Sequence, residues 1–341
     1  MANVLLHLGD IHSKYSPYYN YGINKFIKWL DATLPEAGRE STEIILAGDM
    51  LDKVTGESSH ASAMAPIVDV LKRKAKYIYA ILGNHDYGIR ALSRISNTEF
   101  LESLGIIVIK DLCVYTTKMG FKILCLPWTP YCTYNQVNDF VKEHLDEDFD
   151  SVVAHWEIKP LFTDNFIDIS KVKSTCKAVG HIHTKTNDPC YIGSVLPNSS
   201  SEMKYENSLS VIRSLVKTDK GSNVFDIKIP SFVTIQLAAI KNFEDLKSLV
   251  SREDLFYKIR FNSANLEQRE VLNYVYEHNI GLYKVESTNY DIQEFNSGMS
   301  EISFDNITLN LSKKEIIEEC ASALSITDEE LARLESYITQ N

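Results

Sequence analysis

Short polar motifs follow apolar runs at five points in the first 200 residues, and this recurrence constrains the fold more than any other feature. The motifs place Asp, His or Asn directly after the apolar run: Gly9-Asp10-Ile11-His12, Gly48-Asp49-Met50-Leu51-Asp52, Gly83-Asn84-His85-Asp86, His155 and Gly180-His181-Ile182-His183. Short apolar runs that end at such residues are typical of buried strands. In open α/β sheets a site forms outside the carboxyl ends of the strands. The motifs are therefore predicted to converge on one place.

The segments between these runs have helical spacing. Residues 22–34 and 61–74 are predicted helices, and they separate strand-like runs at 4–8, 43–47 and 77–82. This alternation predicts an α/β fold in which helices cover a sheet. Further strands are predicted at 105–109, 112–117, 121–126, 151–155, 177–182 and 190–193, a helix at 134–145, and a hairpin from 208–215 and 224–229.

The pattern changes after residue 230, and we predict three parts. Residues 1–230 form a large α/β domain, and residues 231–305 form a small α/β domain with a β-α-β-α-β order. Residues 306–341 form C-terminal helices, because Ser312-x-x-Glu315 and Thr327-x-x-Glu330 are both capping boxes.

Composition excludes some classes of protein. No run approaches the roughly 18 apolar residues that a membrane span needs, and the N-terminus lacks the basic leader of a signal peptide. Six cysteines without a CxxC pair indicate reduced thiols, so a cytoplasmic protein is predicted. The net charge of −11 argues against a free-standing DNA binder. The charge remains compatible with a nuclease whose metal ions bind the phosphate at the active site, or with one whose partner supplies most of the affinity for DNA.

The spacing within the motifs indicates metal binding. Asp10 and His12 are two residues apart, as are His181 and His183, and residues i and i+2 of an extended backbone point the same way. Mixed carboxylate and imidazole ligands suit manganese, iron or zinc better than calcium. An Asp that bridges two cations about 3.5–4 Å apart allows both of them to clamp a phosphate. Each motif alone is more often an ordinary turn, so the interpretation depends on their joint occurrence.

The order D-x-H, G-D, G-N-H-D, H and G-H-x-H resembles the signature of calcineurin-like metallophosphoesterases, over roughly residues 4–195. The resemblance implies a four-layer-type β-sandwich flanked by helices. It also implies two divalent metal ions, the first held by Asp10, His12, Asp49 and His183, and the second by Asp49, Asn84, His155 and His181. His85 would contact the phosphate and protonate the leaving oxygen as the catalytic general acid. Asp52 and Asp86 either orient a histidine or are structural.

Two further segments resemble the SbcD family, the nuclease subunit of SbcCD-type complexes. They are His155-Trp156-Glu157 and Tyr191-Ile192-Gly193-Ser194-Val195-Leu196-Pro197-Asn198-Ser199. Asp86 after Asn84-His85, and the absence of Asp-Arg-Gly after the second motif, disfavour a protein phosphatase. The family's eukaryotic and archaeal members carry a histidine where this chain has Asp52, which affects the subgroup rather than the activity.

That resemblance implies a manganese-dependent DNA nuclease, a 3′-to-5′ exonuclease with single-strand or hairpin endonuclease activity, in a bacterial or phage-infected cytoplasm. The small domain would control the access of DNA, and the C-terminal helices would bind an SbcC-type, SMC-like ATPase. A homodimer is also expected. Two alternatives stay open: a small-molecule or nucleotide phosphodiesterase of the same superfamily, and a catalytically silent scaffold for such an ATPase.

Overall fold

The structure, a computed structural model, describes residues 2–14, 16–34, 36–52, 58–87, 98–160, 165–183, 188–197 and 210–288. These residues belong to one compact unit that spans residues 1–289. The predicted helices at 306–341 lie outside the described residues, as does the end of the predicted small domain. No helix in the described part of the chain combines the length and hydropathy needed to cross a membrane.

Two β-sheets form the centre of the fold. The larger sheet has the strand order β10-β9-β1-β2-β3-β4, with β1 to β4 parallel and β9 and β10 antiparallel. Its strands are β1 (Asn3–Leu8), β2 (Thr42–Ala47), β3 (Tyr77–Ile81), β4 (Ile107–Ile109), β9 (Val211–Thr218) and β10 (Gly221–Lys228). The smaller sheet has the order β5-β6-β7-β8, in which β6 to β8 are parallel. Its strands are β5 (Cys113–Thr116), β6 (Lys122–Leu126), β7 (Asp148–Ala154) and β8 (Lys173–Val179).

Helices cover the outer face of each sheet. The larger sheet carries α1 (Pro17–Thr33), α2 (Ser58–Lys74) and α3 (Thr98–Ser103), and the smaller sheet carries α4 (Tyr134–Glu143). Alternate strand residues face opposite layers: Leu6 packs with the helices, whereas Leu5 packs with Ile123 and Val153 of the smaller sheet. The predicted four-layer β-sandwich is thereby confirmed.

A third sheet follows with the predicted β-α-β-α-β order. It consists of β11 (Thr234–Ile240), α5 (Phe243–Lys247), β12 (Leu255–Asn262), α6 (Gln268–Glu277) and β13 (Leu282–Thr288). The three strands are parallel, and α5 and α6 close a separate apolar core on one face. On the other face, Phe256 and Tyr283 contact Tyr18 of α1, with ring centroids 6.3 and 4.8 Å apart.

The strand predicted at 190–193 is absent. Within this stretch the chain forms only a single bridge, between Tyr191 and Val179 at the end of β8. The extended segment stops at Gly193, whose φ of +71° lies in the left-handed region. Apolar character alone therefore overstated the length of this segment.

A buried polar network joins the two central sheets. His7 of β1 donates from Nδ1 to the Arg213 carbonyl at 3.0 Å, and its Nε2 accepts from the Ser151 hydroxyl of β7 at 2.9 Å. Arg213 of β9 also donates to the Lys177 carbonyl of β8 and forms a bidentate ion pair with Asp226 of β10. These contacts fix one sheet relative to the other, because a buried polar group is stable only with its partners in place.

Burial lowers the pKa of His7 to about 4. Between pH 6.5 and pH 4 the His7 imidazole is protonated in the unfolded chain but stays neutral in the folded chain. Lowering the pH through this window therefore favours unfolding. We expect the free energy of unfolding to fall by about 3 kcal/mol more in the wild type than in His7→Gln between these limits. Urea unfolding across this pH range measures the difference, and parallel curves for the two proteins would contradict the prediction.

Candidate active site

The carboxyl ends of strands from both sheets meet at one edge of the sandwich. The His155 amide, after β7, donates to the Leu126 carbonyl of β6 at 3.1 Å, and the Gly180 amide, after β8, donates to the Ala154 carbonyl at 3.0 Å. The His155 Nδ1 donates to the Ala47 carbonyl of β2 at 2.7 Å, which joins this edge to the larger sheet. The predicted convergence of the polar motifs therefore has a physical basis in parallel strands.

Four of the residues at this edge have an unusual backbone conformation. Asp10, His12, Asp49 and His181 have φ values of +50°, +47°, +51° and +77°. Asn279 is the other non-glycine residue with positive φ in the described ranges. Such a conformation costs about 1–3 kcal/mol per residue and clusters at functional sites. The turns are stabilised by hydrogen bonds from the Asp10 amide to the Gly48 carbonyl and from the His12 amide to the Asp49 carbonyl.

The first predicted ligand set is assembled. The ligand atoms of Asp10, His12, Asp49 and His183 all lie within 4.8 Å of one another. The Nε2 atoms of His12 and His183 are 2.9 Å apart, and an Asp10 oxygen lies 3.3 Å from His183 Nε2. An Asp49 oxygen lies 3.5 Å from His12 Nε2. The Asp10 carboxylate also accepts the His181 amide through both oxygens.

The second predicted ligand set lies on the other side of Asp49. Asp49 Oδ2 is 3.2 Å from His155 Nε2. Asn84 Oδ1 is 3.1 Å from the same nitrogen and 3.0 Å from His181 Nδ1. The Asp49 carboxylate thus faces both sets, as a bridging ligand must. Its other oxygen, Oδ1, accepts the His85 amide at 2.8 Å.

The donor atoms at this edge fit divalent metal ions. Because His155 Nδ1 donates to a carbonyl, Nε2 is the ring nitrogen that faces the Asp49 and Asn84 oxygens, and loss of its proton would leave three acceptors facing one another. A cation between these atoms would satisfy all of them. Burial and the neighbouring His155 lower the pKa of His181 to about 4, and burial lowers the pKa of His12. These imidazoles are therefore neutral near pH 7, which is the form that binds metal.

The two carboxylates are charged under the same conditions. Burial opposes the ionisation of Asp10, but hydrogen bonds with His12 and His183 hold its pKa below the usual range. Burial also opposes the ionisation of Asp49, but the charge of His155 holds the pKa of Asp49 at about 2. In return Asp49, acting against the effect of burial, raises the pKa of His155 to about 9. A cation would take the place of that proton.

The predicted general acid lies beside the first ligand set. The His85 and His12 rings are 4.8 Å apart between centroids. His85 Nδ1 donates to the Asp52 carbonyl at 2.7 Å, so Nε2 is the ring nitrogen left to act on a substrate. The Asp52 carboxylate lies 3.7 Å from His12 Nδ1 and 3.4 Å from the Lys14 ammonium. Asp52 therefore contacts two histidines, one through its main chain and one through its side chain.

Asp86 has a different role from Asp52. Its buried carboxylate accepts the amides of Gly83 at 2.9 Å, Met50 at 3.1 Å and Leu51 at 3.3 Å. Burial and the nearby Asp49 charge raise the pKa of Asp86 to about 7, and the amide donors oppose this shift. Of the two roles left open by the sequence, orienting a histidine and supporting structure, these contacts favour the second. Asp86 ties the loop after β2 to the loop after β3.

Sequence reasoning missed one loop at this edge, residues 127–131 after β6. The Trp128 amide donates to the Leu82 carbonyl at 2.9 Å, next to the Gly83-Asn84 motif. The run Pro-Trp-Thr-Pro-Tyr contains no Asp, His or Asn, so it lacks the residue types that marked the other loops. Its position directly after a predicted strand could have revealed it.

Glycine is required where the loops approach each other. A methyl group on Gly83 would overlap the carboxylate and the amide of Asp49. We expect Gly83→Ala to weaken manganese binding more than tenfold, because Asp49 faces both ligand sets. Isothermal titration with manganese measures the change. Gly38→Ala is the matched control, since its methyl meets only Thr42 Oγ1 at 3.5 Å. Equal affinity in both variants would contradict the prediction.

The shared position of Asp49 predicts a difference in metal stoichiometry. Asp49→Ala removes a ligand from both sets, so we expect neither ion to bind tightly. His183→Ala removes a ligand from the first set only, so one ion per chain should remain. Metal content after gel filtration in micromolar manganese gives the count. If Asp49→Ala retained one tightly bound ion, Asp49 would not be the bridge.

Proteins of known structure resemble parts of this chain at low sequence identity. Among solved structures, the phosphopantetheinyl hydrolase PptH of Mycobacterium tuberculosis is 15% identical, with 60% of this chain and 93% of that chain covered and a TM-score of 0.37. Zinc-complexed Vps29 of Entamoeba histolytica is 12% identical, with 67% and 99% covered and a TM-score of 0.27. No curated protein sequence matched. The calcineurin-like phosphoesterase model matches residues 4–185, more than half of the 341 residues. The chain therefore belongs to the calcineurin-like phosphoesterase family.

Proposed function

We propose that this phosphoesterase is a two-metal DNA nuclease of the SbcD type. The observation that carries the proposal is that one Asp49 oxygen lies 3.5 Å from His12 of the first predicted set and 3.2 Å from His155 of the second, with the His85 ring beside His12. Two adjacent cations suit the hydrolysis of phosphodiesters, in which both the attacking and the leaving oxygen need stabilisation. Manganese is the proposed ion, because the resemblance to SbcD-type nucleases implies it and ligands that combine carboxylate oxygens with imidazole nitrogens are compatible with it.

Bound divalent cations would lower the pKa of an attacking water and stabilise the charge that develops on the phosphate. The chain's own residues have separate tasks. Asp10, Asp49 and the neutral histidines hold the ligand geometry. His85 is oriented by its Nδ1 bond to the Asp52 carbonyl, and it donates a proton from Nε2 to the departing oxygen.

Positive charge close to the site also favours a phosphate substrate. The Lys14 ammonium lies 3.4 Å from Asp52, and the Lys14 side chain is only 13% exposed. His12 Nδ1 lies 3.7 Å from the same Asp52 oxygen, so the Lys14 charge lies close to the first predicted ligand set. An overall charge of −11 would repel DNA elsewhere on the surface. Local cations at the site, together with a partner, would then supply most of the attraction.

The proposal includes the assembly that SbcD-type nucleases form. The three-stranded sheet packs on α1, the helix that begins just after the first motif, which supports a role in the access of DNA to the site. We propose an SMC-like ATPase of the SbcC type as the partner of residues 306–341. A homodimer and a bacterial or phage-infected cytoplasm belong to the same proposal.

The two alternatives make different demands on the site. A silent scaffold has no need for the ligand sets, yet Asp49, Asn84 and His181 are all present, and the Asn84 oxygen lies 3.0 Å from His181 Nδ1. A small-molecule phosphodiesterase uses the same ligands and differs only in substrate. The first experiment must therefore compare DNA with a small phosphodiester.

His85→Gln should reduce manganese-dependent cleavage of linear and single-stranded DNA by about 100- to 10,000-fold, because the leaving oxygen loses its proton donor. The manganese-induced rise in Tm should remain, since His85 is not a proposed ligand. Labelled DNA with manganese, magnesium or chelator gives the rates. His144→Gln, at the end of α4, is the matched control and should cleave at the wild-type rate.

Two results would count against the nuclease. No cleavage of DNA, combined with rapid hydrolysis of bis(para-nitrophenyl) phosphate or of a nucleotide, would favour the small-substrate phosphodiesterase. No hydrolysis of any phosphodiester by a protein that binds manganese would favour the silent scaffold. Full activity in His85→Gln would remove this residue as the general acid.

A further inference from the structure

We infer that Tyr87, Trp128 and Tyr131 form a stacking surface for a base of the substrate, beside the second ligand set. The inference deepens the proposed function and rests on it in one respect, the need for a substrate that carries a base. Its chemistry is shared by a DNA strand and a mononucleotide ester. The residues involved are neither ligands nor proton donors.

The main chain places these aromatic residues at the active-site edge. Tyr87 follows His85 and Asp86 directly. The Trp128 amide bonds to the Leu82 carbonyl at 2.9 Å, two residues before Asn84. Leu126, two residues before Trp128, accepts the His155 amide at 3.1 Å. The loop that carries Trp128 and Tyr131 therefore borders the segments that supply two ligands of the second set.

The rings of Trp156, Trp128 and Tyr87 form a continuous array. Trp156, next to His155, is 3% exposed and donates from Nε1 to the Pro127 carbonyl at 3.0 Å. The Trp128 ring lies 6.2 Å from Trp156 and 5.6 Å from Tyr87, measured between centroids. Trp128 and Tyr87 are half-buried, and Tyr131, in the same loop as Trp128, is 59% exposed. Buried Trp156 thus supports rings that remain open to solvent.

The loop is held rigidly before any substrate binds. Pro127 and Pro130 flank Trp128 and restrict the main chain. The buried Thr129 hydroxyl accepts the Tyr131 amide at 3.3 Å and hydrogen-bonds the Tyr87 side chain. Little conformational entropy is lost when a ligand meets a surface that is already ordered.

A stacking surface would also help this negatively charged protein to bind a negatively charged substrate. Base–aromatic stacking contributes about 1–3 kcal/mol per base and tolerates any sequence, because every base has a π-face. It requires no positive charge, and this chain has a net charge of −11. Uncharged contacts next to the cations would hold a polyanion that the rest of the surface repels.

Two chromogenic substrates isolate the contribution of the base. The para-nitrophenyl phosphodiesters of thymidine and of methanol share the reacting phosphate and the leaving group, and only the first has a base. We expect wild-type kcat/KM, with manganese, to favour the thymidine ester. The ratio of the two values should fall about tenfold in Trp128→Ala and in Tyr131→Ala, mainly through KM for the thymidine ester.

Control variants separate stacking from general damage. Trp128→Phe keeps an aromatic face and should recover most of the preference. Tyr276→Ala removes a tyrosine that is 87% exposed on α6, outside the array, and should keep the wild-type ratio. Quenching of tryptophan fluorescence by thymidine monophosphate provides a second readout, since Trp128→Phe should remove most of it while Trp29 and Trp156 remain.

The outcomes distinguish this inference from the proposed nuclease. A ratio unchanged in both alanine variants would overturn the stacking surface even if DNA were cut. A lowered ratio without cleavage of DNA would support the stacking surface and overturn the nuclease. If neither ester were hydrolysed, the absence of quenching that depends on Trp128 would overturn it, and exposed Tyr131 would be left as a contact for a partner protein.

Discussion

The arrangement of this site depends on the Asp49 carboxylate. One oxygen accepts the His85 amide, and the other lies within 3.5 Å of both His12 and His155. Asp49 can face both histidines only because its backbone has a φ of +51° and because Gly83 leaves room for it. His85, the proposed general acid, and the two predicted ligand sets thus all meet a single side chain. A small displacement of the loop after β2 would disturb all three together.

The position of that loop relative to the smaller sheet is fixed by buried hydrogen bonds between the two sheets. His7 spans from β1 to Ser151 of β7, and Arg213 reaches the Lys177 carbonyl of β8. His155, a predicted ligand of the second set, follows a strand of the smaller sheet, whereas Asp49 follows a strand of the larger one. The register between the sheets therefore decides the distance between these two side chains. A buried polar network is well suited to this task, because a shift would leave several groups without partners.

The sequence predicted the elements that repeat a local rule. Apolar runs followed by Asp, His or Asn predicted the strands, and they predicted that His12, His155 and His183 lie at one edge of the sheets. The sequence could not predict the role of Asp86, because its partners are main-chain amides, which have no residue-type signature. It also missed the Trp128 loop, which carries no metal-type ligand. The strand expected at 190–193 failed because a local apolar run does not specify what the chain pairs with.

The residues of this site lower the stability of the fold. Asp10 and Asp49 are two buried carboxylates at one edge of the sandwich, and four residues there adopt left-handed conformations. Without cations, the charge of Asp49 is offset by a proton on His155, whose pKa is about 9. Bound cations would offset both carboxylates and satisfy the acceptor oxygen of Asn84. The free energy of metal binding is then also free energy of folding. A chain of this kind can keep a strained site because its ligands are stabilised by the ions that they hold.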